Sequence, residues 1–530
     1  MKRGQALALL LLLLLFAGAI RSYELTARSL WFDEAFSWRL IQFSLPEMIA
    51  RDAADVHPPL YYIFLKGWGA VFGTSLLSLR SFSVTLGLAA IAMAYGFAAS
   101  AWRSRAVGIL AATLMALAGW QIQYAWEARM YTLGIFFTLL SSWLLLQLVR
   151  TTLQRQAASW LLAVLYGITA AALAYVHYFA FFTLAAHALF VLMILVRRTR
   201  WRLGEMLGSQ LLWIAAASGI LAVVLYAPWI PVFLAQNQQV QDSYWVPPIG
   251  GWSIPDTFYR MLIPTSGIPP HTGPELVFSA LPILAVLALW IWLLVGCKKR
   301  SESPLALKGK AQASVVHEDT CEAAWLVMLS ASVPFFLAIG ISFIGQSLYQ
   351  DRFLVFTHAF ILIGLAAFLV RIRPIWLRRT AITVVILLFA VLSVRFWNEI
   401  EVRNKPGAAG ATAHIFEQRT DDEPVFVSSA FVYFAVEHYA HEDFDGATDP
   451  TLLAEGAALH FAGGPILTDA DVISPAVLDT LPQDSFWLVD TTGFGGSELE
   501  VVGWRSVERT VYPEVFAHQA DVIVHRYVRQ

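Results

Sequence analysis

Three short polar clusters interrupt an otherwise apolar chain, and their residue types suit group transfer at a membrane surface. Leu30-Trp31-Phe32-Asp33-Glu34-Ala35 carries an adjacent carboxylate pair. Asp55-Val56-His57-Pro58-Pro59-Leu60-Tyr61-Tyr62 sets an acid and an imidazole before a double-proline turn. Gln123-Tyr124-Ala125-Trp126-Glu127-Ala128-Arg129-Met130-Tyr131 combines an acid, a guanidinium and aromatic rings. A carboxylate such as Asp33, with Glu34 beside it, can take a proton from an alcohol or amine, and Glu127 is a further acid of this kind. Arg129, together with Arg352 of the later Asp351-Arg352 step, offers the planar donor fork that suits a phosphate. His57, Tyr61 and Tyr131 present rings on which a sugar could rest.

Each cluster also has a plain structural reading. Asp33-Glu34 could be a solvated cap that ends a span, and His57 could be a turn residue stacked on Tyr61. Glu127 and Arg129 are too close in sequence to face each other on a helix and could snorkel at the interface. Asp351 could simply neutralise Arg352. His177 and Tyr178, between two spans, read as structural.

The elements that must position these residues are membrane spans. Of 530 residues, 58% are hydrophobic and only 14% charged, whereas a soluble domain carries about 25% charge. A net charge of −2 argues against a nucleic-acid partner. Apolar segments recur at roughly 78–100, 106–125, 131–149, 159–176, 178–196, 209–228, 277–296, 323–344, 353–370 and 380–397. Met1-Lys2-Arg3 followed by apolar residues 6–20 fits an uncleaved first span, or a signal peptide cut near Ala17-Gly18-Ala19. The first option gives about eleven crossings. Arg103, Arg105, Arg150, Arg155, Arg197 to Arg202, Lys298 to Lys310 and Arg371 to Arg379 fall on the side of Lys2 and Arg3. Asp33, Glu34, Asp52, Asp55, Glu127, Asp242, Asp256 and Asp351 fall on the other. The positive-inside rule then puts the N-terminus in the cytoplasm and the C-terminus outside. Cys297 and Cys321, the two cysteines of the chain, flank an inside loop and are expected to stay reduced.

The first outside loop, 21–77, should hold two short amphipathic helices on the membrane surface. Ser44-Leu45-Pro46-Glu47 reads as a capping box. Residues 297–322 read as a cytoplasmic connector. Residues 398–530 differ in kind from the transmembrane part, 1–397. Strand-like runs at Val425 to Ser428, Phe486 to Val489 and Asp521 to Tyr527, with a helix around Phe431 to Tyr439, predict a small exported α/β domain. It carries no acid–base set of its own and reads as an accessory.

The Asp-Glu pair, the His-Pro-Pro-Leu-Tyr-Tyr loop and the Trp-Glu-Ala-Arg-Met-Tyr loop resemble the GT-C superfamily over roughly residues 20–370. The closer resemblance is to bacterial relatives of the protein mannosyltransferases and of the aminoarabinose transferases, the glycosyltransferase 39 type. It implies an all-α polytopic bundle and an inverting transfer of a sugar from a polyprenyl phosphate, outside the cytoplasm, to a lipid, glycan or protein acceptor. It also implies that Asp33 is the catalytic base and Glu127 a second acid. Those transferases carry an acid and a Lys just before the paired prolines, where this chain has Val56 and His57. A divalent metal cation, if held, would fall to Asp55, His57 and Glu127. The rival class is a transporter or flippase of lipid-linked sugars, which would need polar residues at mid-membrane. This chain instead gathers its acids at span ends. A glycan polymerase or ligase shares the layout but not the three motifs.

Overall fold

The computed structural model describes residues 1–155, 158–242, 244–298, 311–444, 449–456, 458–496 and 498–530. Of the predicted connector, 297–322, residues 299–310 lie outside them, and the part from Ala311 on belongs to a helix. The chain begins with α1 (Arg3–Ser22), followed by three short helices of the first loop: α2 (Phe32–Gln42), α3 (Leu45–Ala54) and α4 (Leu60–Phe72). The bundle continues with α5 (Leu76–Ala101), α6 (Arg105–Leu117), α7 (Gly119–Ala125) and α8 (Tyr131–Arg155). Next come α9 (Trp160–Ala174), α10 (Ala180–Thr199), α11 (Leu203–Leu207), α12 (Gln210–Tyr226) and α13 (Ile230–Asp242). It closes with α14 (Ser253–Leu262), α15 (Gly273–Lys298), α16 (Ala311–Ile344), α17 (Val355–Arg371) and α18 (Ile375–Ile400).

Among the described residues eight helices are long and apolar enough to cross a membrane, and the bent pair α6–α7 would make a ninth. The two shorter apolar helices, Trp160–Ala174 and the stretch Gly273–Ala288, occupy the remaining predicted spans. The chain is a multi-pass membrane protein. The expected single span at 106–125 is broken, with a 64° bend at Ala118. A bend leaves carbonyls without helical partners. Arg21 of α1 fills that need by donating to Met115 O (3.1 Å) and Ala116 O (3.0 Å). Gly119 is required just past the bend, because a Cβ there would sit 2.3 Å from Pro264.

Two of the arginines expected on the side of the N-terminus are tied to backbone carbonyls. Arg105 donates to Met1 O, and Arg150 donates to the carbonyls of Ser100 and Ala101. Cys321 is disulfide-bonded, which corrects the expectation of reduced thiols. Sidedness therefore rests on the charge distribution alone.

The C-terminal part builds α19 (Gly407–Gln418), α20 (Ala430–Asp443) and one six-stranded sheet. Its strands are β1 (Val425–Val427), β2 (Thr451–Leu453), β3 (Val472–Ile473), β4 (Ser485–Thr491), β5 (Trp504–Pro513) and β6 (Asp521–Arg529). Their spatial order is β3-β2-β1-β4-β6-β5. β1, β2 and β3 run parallel with β4, whereas β6 pairs antiparallel with β4 and β5. β1 and most of β4 are apolar and covered on both faces, as central parallel strands require. β5 scatters Arg505, Glu508 and Arg509 among its apolar residues at an exposed edge, so it offers no apolar run.

The sheet is not a separate accessory. Val425, Val427, Trp487 and Val489 share one hydrophobic core with Leu30, Phe36, Trp38, Leu40 and Ile41 of the first loop. The loop helices are therefore sandwiched beneath the sheet domain rather than lying bare on the membrane surface. Polar clamps fix this docking. Arg39 pairs with Glu437 (2.9 Å) and Asp471 (3.0 Å), Arg51 donates to Pro465 O (2.9 Å), and the Tyr439 hydroxyl accepts from Leu30 N (2.8 Å). The capping box does not form. Ser44 makes no side-chain cap bond, and Glu47 pairs with Arg51 instead.

Arg39→Ala would leave Glu437 buried without its cation, and we expect it to cost about 3 kcal/mol. A Tm in detergent that matches the wild type would contradict this docking. A chain ended after Ile400 should aggregate on extraction, since it uncovers the apolar residues of α2.

Candidate functional site

Arg80, near the start of α5, has no solvent exposure and uses all its donors. Its Nε and Nη2 grip Glu34 at 2.9 and 2.6 Å. Its Nη1 donates to Leu25 O and Arg28 O, and its Nη2 also donates to Ser29 O. Glu34 accepts two further bonds, from Arg28 (3.1 Å) and from Ala128 N (2.9 Å). Burial pushes the Glu34 carboxyl up, but Arg80 and Arg28 hold it below the usual carboxylate range. One ion pair thus joins the 25–29 segment, α2, α5 and the turn after α7. Glu34 is fully committed and does not reach the cavity, contrary to its expected catalytic role.

Asp33 precedes it by one residue, and successive helical residues point about 100° apart. It therefore faces away from the anchor, into a cavity of about 590 Å³. Arg352 Nη1 donates to Asp33 Oδ2 at 3.1 Å, and Arg129 Nε lies 4.0 Å from the same oxygen. Burial raises the Asp33 pKa; Arg129 and Arg352 more than offset this and leave it lowered. Asp33 stays ionised at neutral pH.

Arg129 is held on several sides. It donates to Asp33 O (3.0 Å), Ser37 Oγ (3.3 Å), Tyr62 OH (3.1 Å) and His57 Nε2 (3.1 Å). An arginine only donates, so Nε2 accepts and Nδ1 carries the proton, given to Asp55 at 2.7 Å. Both ring nitrogens of His57 are occupied. Asp55, His57 and Glu127 do not converge. Among the described residues, the three-ligand His/Asp/Glu group with ligand atoms within 4.8 Å of one another is Asp256, His271 and Glu275. On this geometry Asp55, His57 and Glu127 do not form the expected metal site.

Glu127 lines the large cavity, 4.0 Å from Arg28, with Oε2 unpartnered. Burial pushes its pKa up to about 7, against the opposing pull of Arg28. Arg352 sits against the rings of Trp245 (4.7 Å) and Trp31 (5.7 Å), as a cation on aromatic faces. Tyr131, His57, Asp55 and Arg129 line a smaller adjoining pocket that shares Asp33 and Arg352 with the large one. Tyr61 lines neither. It is fully buried against Tyr62 and Phe82, so its expected substrate contact is corrected to a packing role.

Sequence reasoning missed the far wall. Phe431, Phe461, Phe494, Phe516 and His518 come from the C-terminal domain to face Asp33 across the cavity. Phe431 and Phe494 stack at 4.7 Å, and His518 stands edge-on to Trp31 at 5.5 Å. The ring of His518 opens onto the cavity, yet the surrounding protein and the nearby arginines hold its pKa down to about 4, so it is neutral. No local signal could have marked these rings, but Arg28 and Arg80 did carry one: they are cations at the acid-bearing end of the chain.

No protein-family model matches this sequence, and no curated protein does either. The structure has solved counterparts. ArnT from Cupriavidus metallidurans bound to undecaprenyl phosphate superimposes with a TM-score of 0.57 over 97% of this chain and 97% of that one, at 13% identity. The apo state of ArnT gives 0.48, covering 98% of each chain at 13% identity. The oligosaccharyltransferase AglB from Archaeoglobus fulgidus, in complex with an inhibitory peptide and a dolichol-phosphate, gives 0.47 over 91% of this chain and 69% of that one, at 12% identity. The first of these shows the fold: the chain is folded like ArnT, with the GT-C-like architecture expected from its motifs.

Removing one side of a fully buried pair leaves the other charge stranded and costs about 3–5 kcal/mol. Arg80→Leu should therefore lower the Tm sharply, whereas Arg80→Leu with Glu34→Leu should recover part of the loss. A single variant as stable as the wild type would remove Arg80 from the anchoring role.

Proposed function

We propose that this protein is an inverting glycosyltransferase that moves a sugar from a polyprenyl-phosphate donor to an acceptor hydroxyl or amine. The observation that carries this reading is the Asp33 carboxylate 3.1 Å from Arg352 in the roofed cavity. A base and a phosphate-binding cation share one oxygen contact, where a lipid-borne phosphate and an acceptor can meet. The GT-C-like fold supports it, since ArnT with that fold was solved with undecaprenyl phosphate. On the charge distribution, the N-terminus is cytoplasmic, and the site and C-terminal domain lie outside a plasma or inner membrane. The acceptor class is a lipid, glycan or protein, and it approaches along the aromatic wall.

The donor phosphate takes the fork of Arg352, with Arg129 behind it. That contact neutralises Arg352 and frees the Asp33 oxygen it holds, so donor binding strengthens the base. Asp33 then takes the acceptor proton. The acceptor atom bonds to the anomeric carbon as the bond to phosphate oxygen breaks, and polyprenyl phosphate leaves with the electron pair. The guanidinium stabilises that developing charge. Glu34 acts as a positioning residue. Glu127 below pH 7 is neutral and adds no charge to repel the phosphate.

Asp33→Asn keeps the side chain's size but removes the basic oxygen. Transfer should fall by about 10²–10⁴ while donor binding survives. A well-folded Asp33→Asn protein with near-normal transfer would sink the mechanism.

Arg352→Ala should weaken donor affinity by about tenfold to a hundredfold, the loss of one charge-assisted contact. Lys should restore only part of it. An unchanged affinity demotes Arg352 to a structural role.

Donor affinity should also decline as pH rises through about 7, where Glu127 gives up its proton. In Glu127→Gln the affinity should stay level over that window. A decline that persists in this variant assigns the titration to another group.

A further inference from the structure

The loop between α13 and α15 forms part of the cavity rim, and its polar residues are used by none of the steps above. Asp256 on α14, His271 in the following loop and Glu275 at the start of α15 bring one ligand atom each to within 4.8 Å of one another. His271 Nε2 is 3.1 Å from Asp256 Oδ2. Two donor atoms on one tetrahedral ion with bonds of about 2.0–2.1 Å are about 3.3 Å apart, so that separation already suits a shared cation.

The carboxylates point to a ligand independently. Glu275 is only 1% exposed, and its Oε1 has no hydrogen-bond partner. Asp256 Oδ1 is likewise unpartnered and shielded from solvent. His271 is partly exposed at the rim, but the two bare carboxylate oxygens beneath it are shielded from water and repel each other unless a cation or a shared proton lies between them.

The surroundings hold the imidazole in place. His271 adopts a left-handed backbone, φ 47°, that a non-glycine residue takes only when its neighbours enforce it. Its ring stacks on Trp252 at 4.7 Å and 11°, and its backbone N–H donates to Glu275 Oε2 at 2.5 Å.

We infer that Asp256, His271 and Glu275 form a binding site for a divalent transition-metal cation, separate from Asp33. One imidazole with two carboxylates suits Zn²⁺ or Mn²⁺ better than Ca²⁺ or Mg²⁺, which take oxygen ligands. Three protein ligands leave a coordination position for water or for a group in the cavity, which Asp256 itself lines. The ion would also brace the rim. One turn on from Asp256, Arg260 pairs with Asp351 (3.3 Å), and Thr257 accepts from Tyr349 (2.8 Å), next to the Arg352 segment. Metal occupancy would thus stiffen the wall that carries Arg352.

The test is metal content of the purified full-length chain in nanodiscs, after EDTA treatment and titration with Zn²⁺ or Mn²⁺, read by elemental analysis and by Tm. One ion per chain is expected, with a rise in Tm. Glu275→Gln and His271→Ala should each weaken binding by at least about tenfold to a hundredfold. Asp55→Asn should keep the ion, which separates this site from the one near the paired prolines. If either variant is poorly folded, Asp256→Asn provides the same reading. Failure of the wild type to bind either ion, which would leave a shared proton between the carboxylates, overturns the proposal. So does binding that none of the three substitutions alters. The readout does not depend on transfer activity, so it stands or falls apart from the proposed function.

Discussion

The Arg80–Glu34 ion pair is the constraint on which the site depends. Two charges without solvent exposure are tolerated only when every donor and acceptor is matched. Here the guanidinium closes five bonds and the carboxylate four. The pair locks the register of α2 against α5, and so decides where the preceding residue, Asp33, must point. The same carboxylate takes the Ala128 N–H, which places Glu127 and Arg129 on either side of the anchor. A base on α2 and an acid and a cation on the turn after α7 are thereby fixed relative to one another.

The cavity is composite. The loops and short helices at the ends of the membrane helices supply its charged floor, and the sheet domain supplies its aromatic wall. Because the two parts share one hydrophobic core through α2, the wall cannot drift from the floor without exposing Phe36 and Trp38. This explains why α2, a helix in a loop between spans, is mostly buried. The adjacent Asp55–His57–Arg129 chain serves the same end. It orients a guanidinium behind Asp33 and keeps the imidazole in one tautomer.

Much of this was legible in sequence, for identifiable reasons. Long apolar runs carry their own signal, so each of the expected spans coincides with a helix, though the bend at Ala118 went unseen. Asp33, Glu127, Arg129 and Arg352 stood out as charges at span ends, and the structure does gather them. Glu34 was misjudged because adjacency in sequence suggests a shared task, whereas a helix turns neighbours apart. Tyr61 was misjudged because its ring faces the core and that of Tyr62 meets Arg129. The phenylalanines of the far wall lie some 400 residues from Asp33, and only tertiary structure brings them together. Ser44 and Glu47 fit a local capping pattern that the docked sheet domain overrode by engaging Arg51. The thiol expectation failed because it inferred redox state from sidedness alone.

Purified protein in nanodiscs, supplied with a panel of polyprenyl-phosphate sugars and candidate acceptors, tests the central claim most directly. The account requires free polyprenyl phosphate to appear with one donor, together with a product of inverted anomeric configuration. Intact donor recovered in every case, or donor carried across the bilayer with its glycosidic bond unbroken, would contradict it.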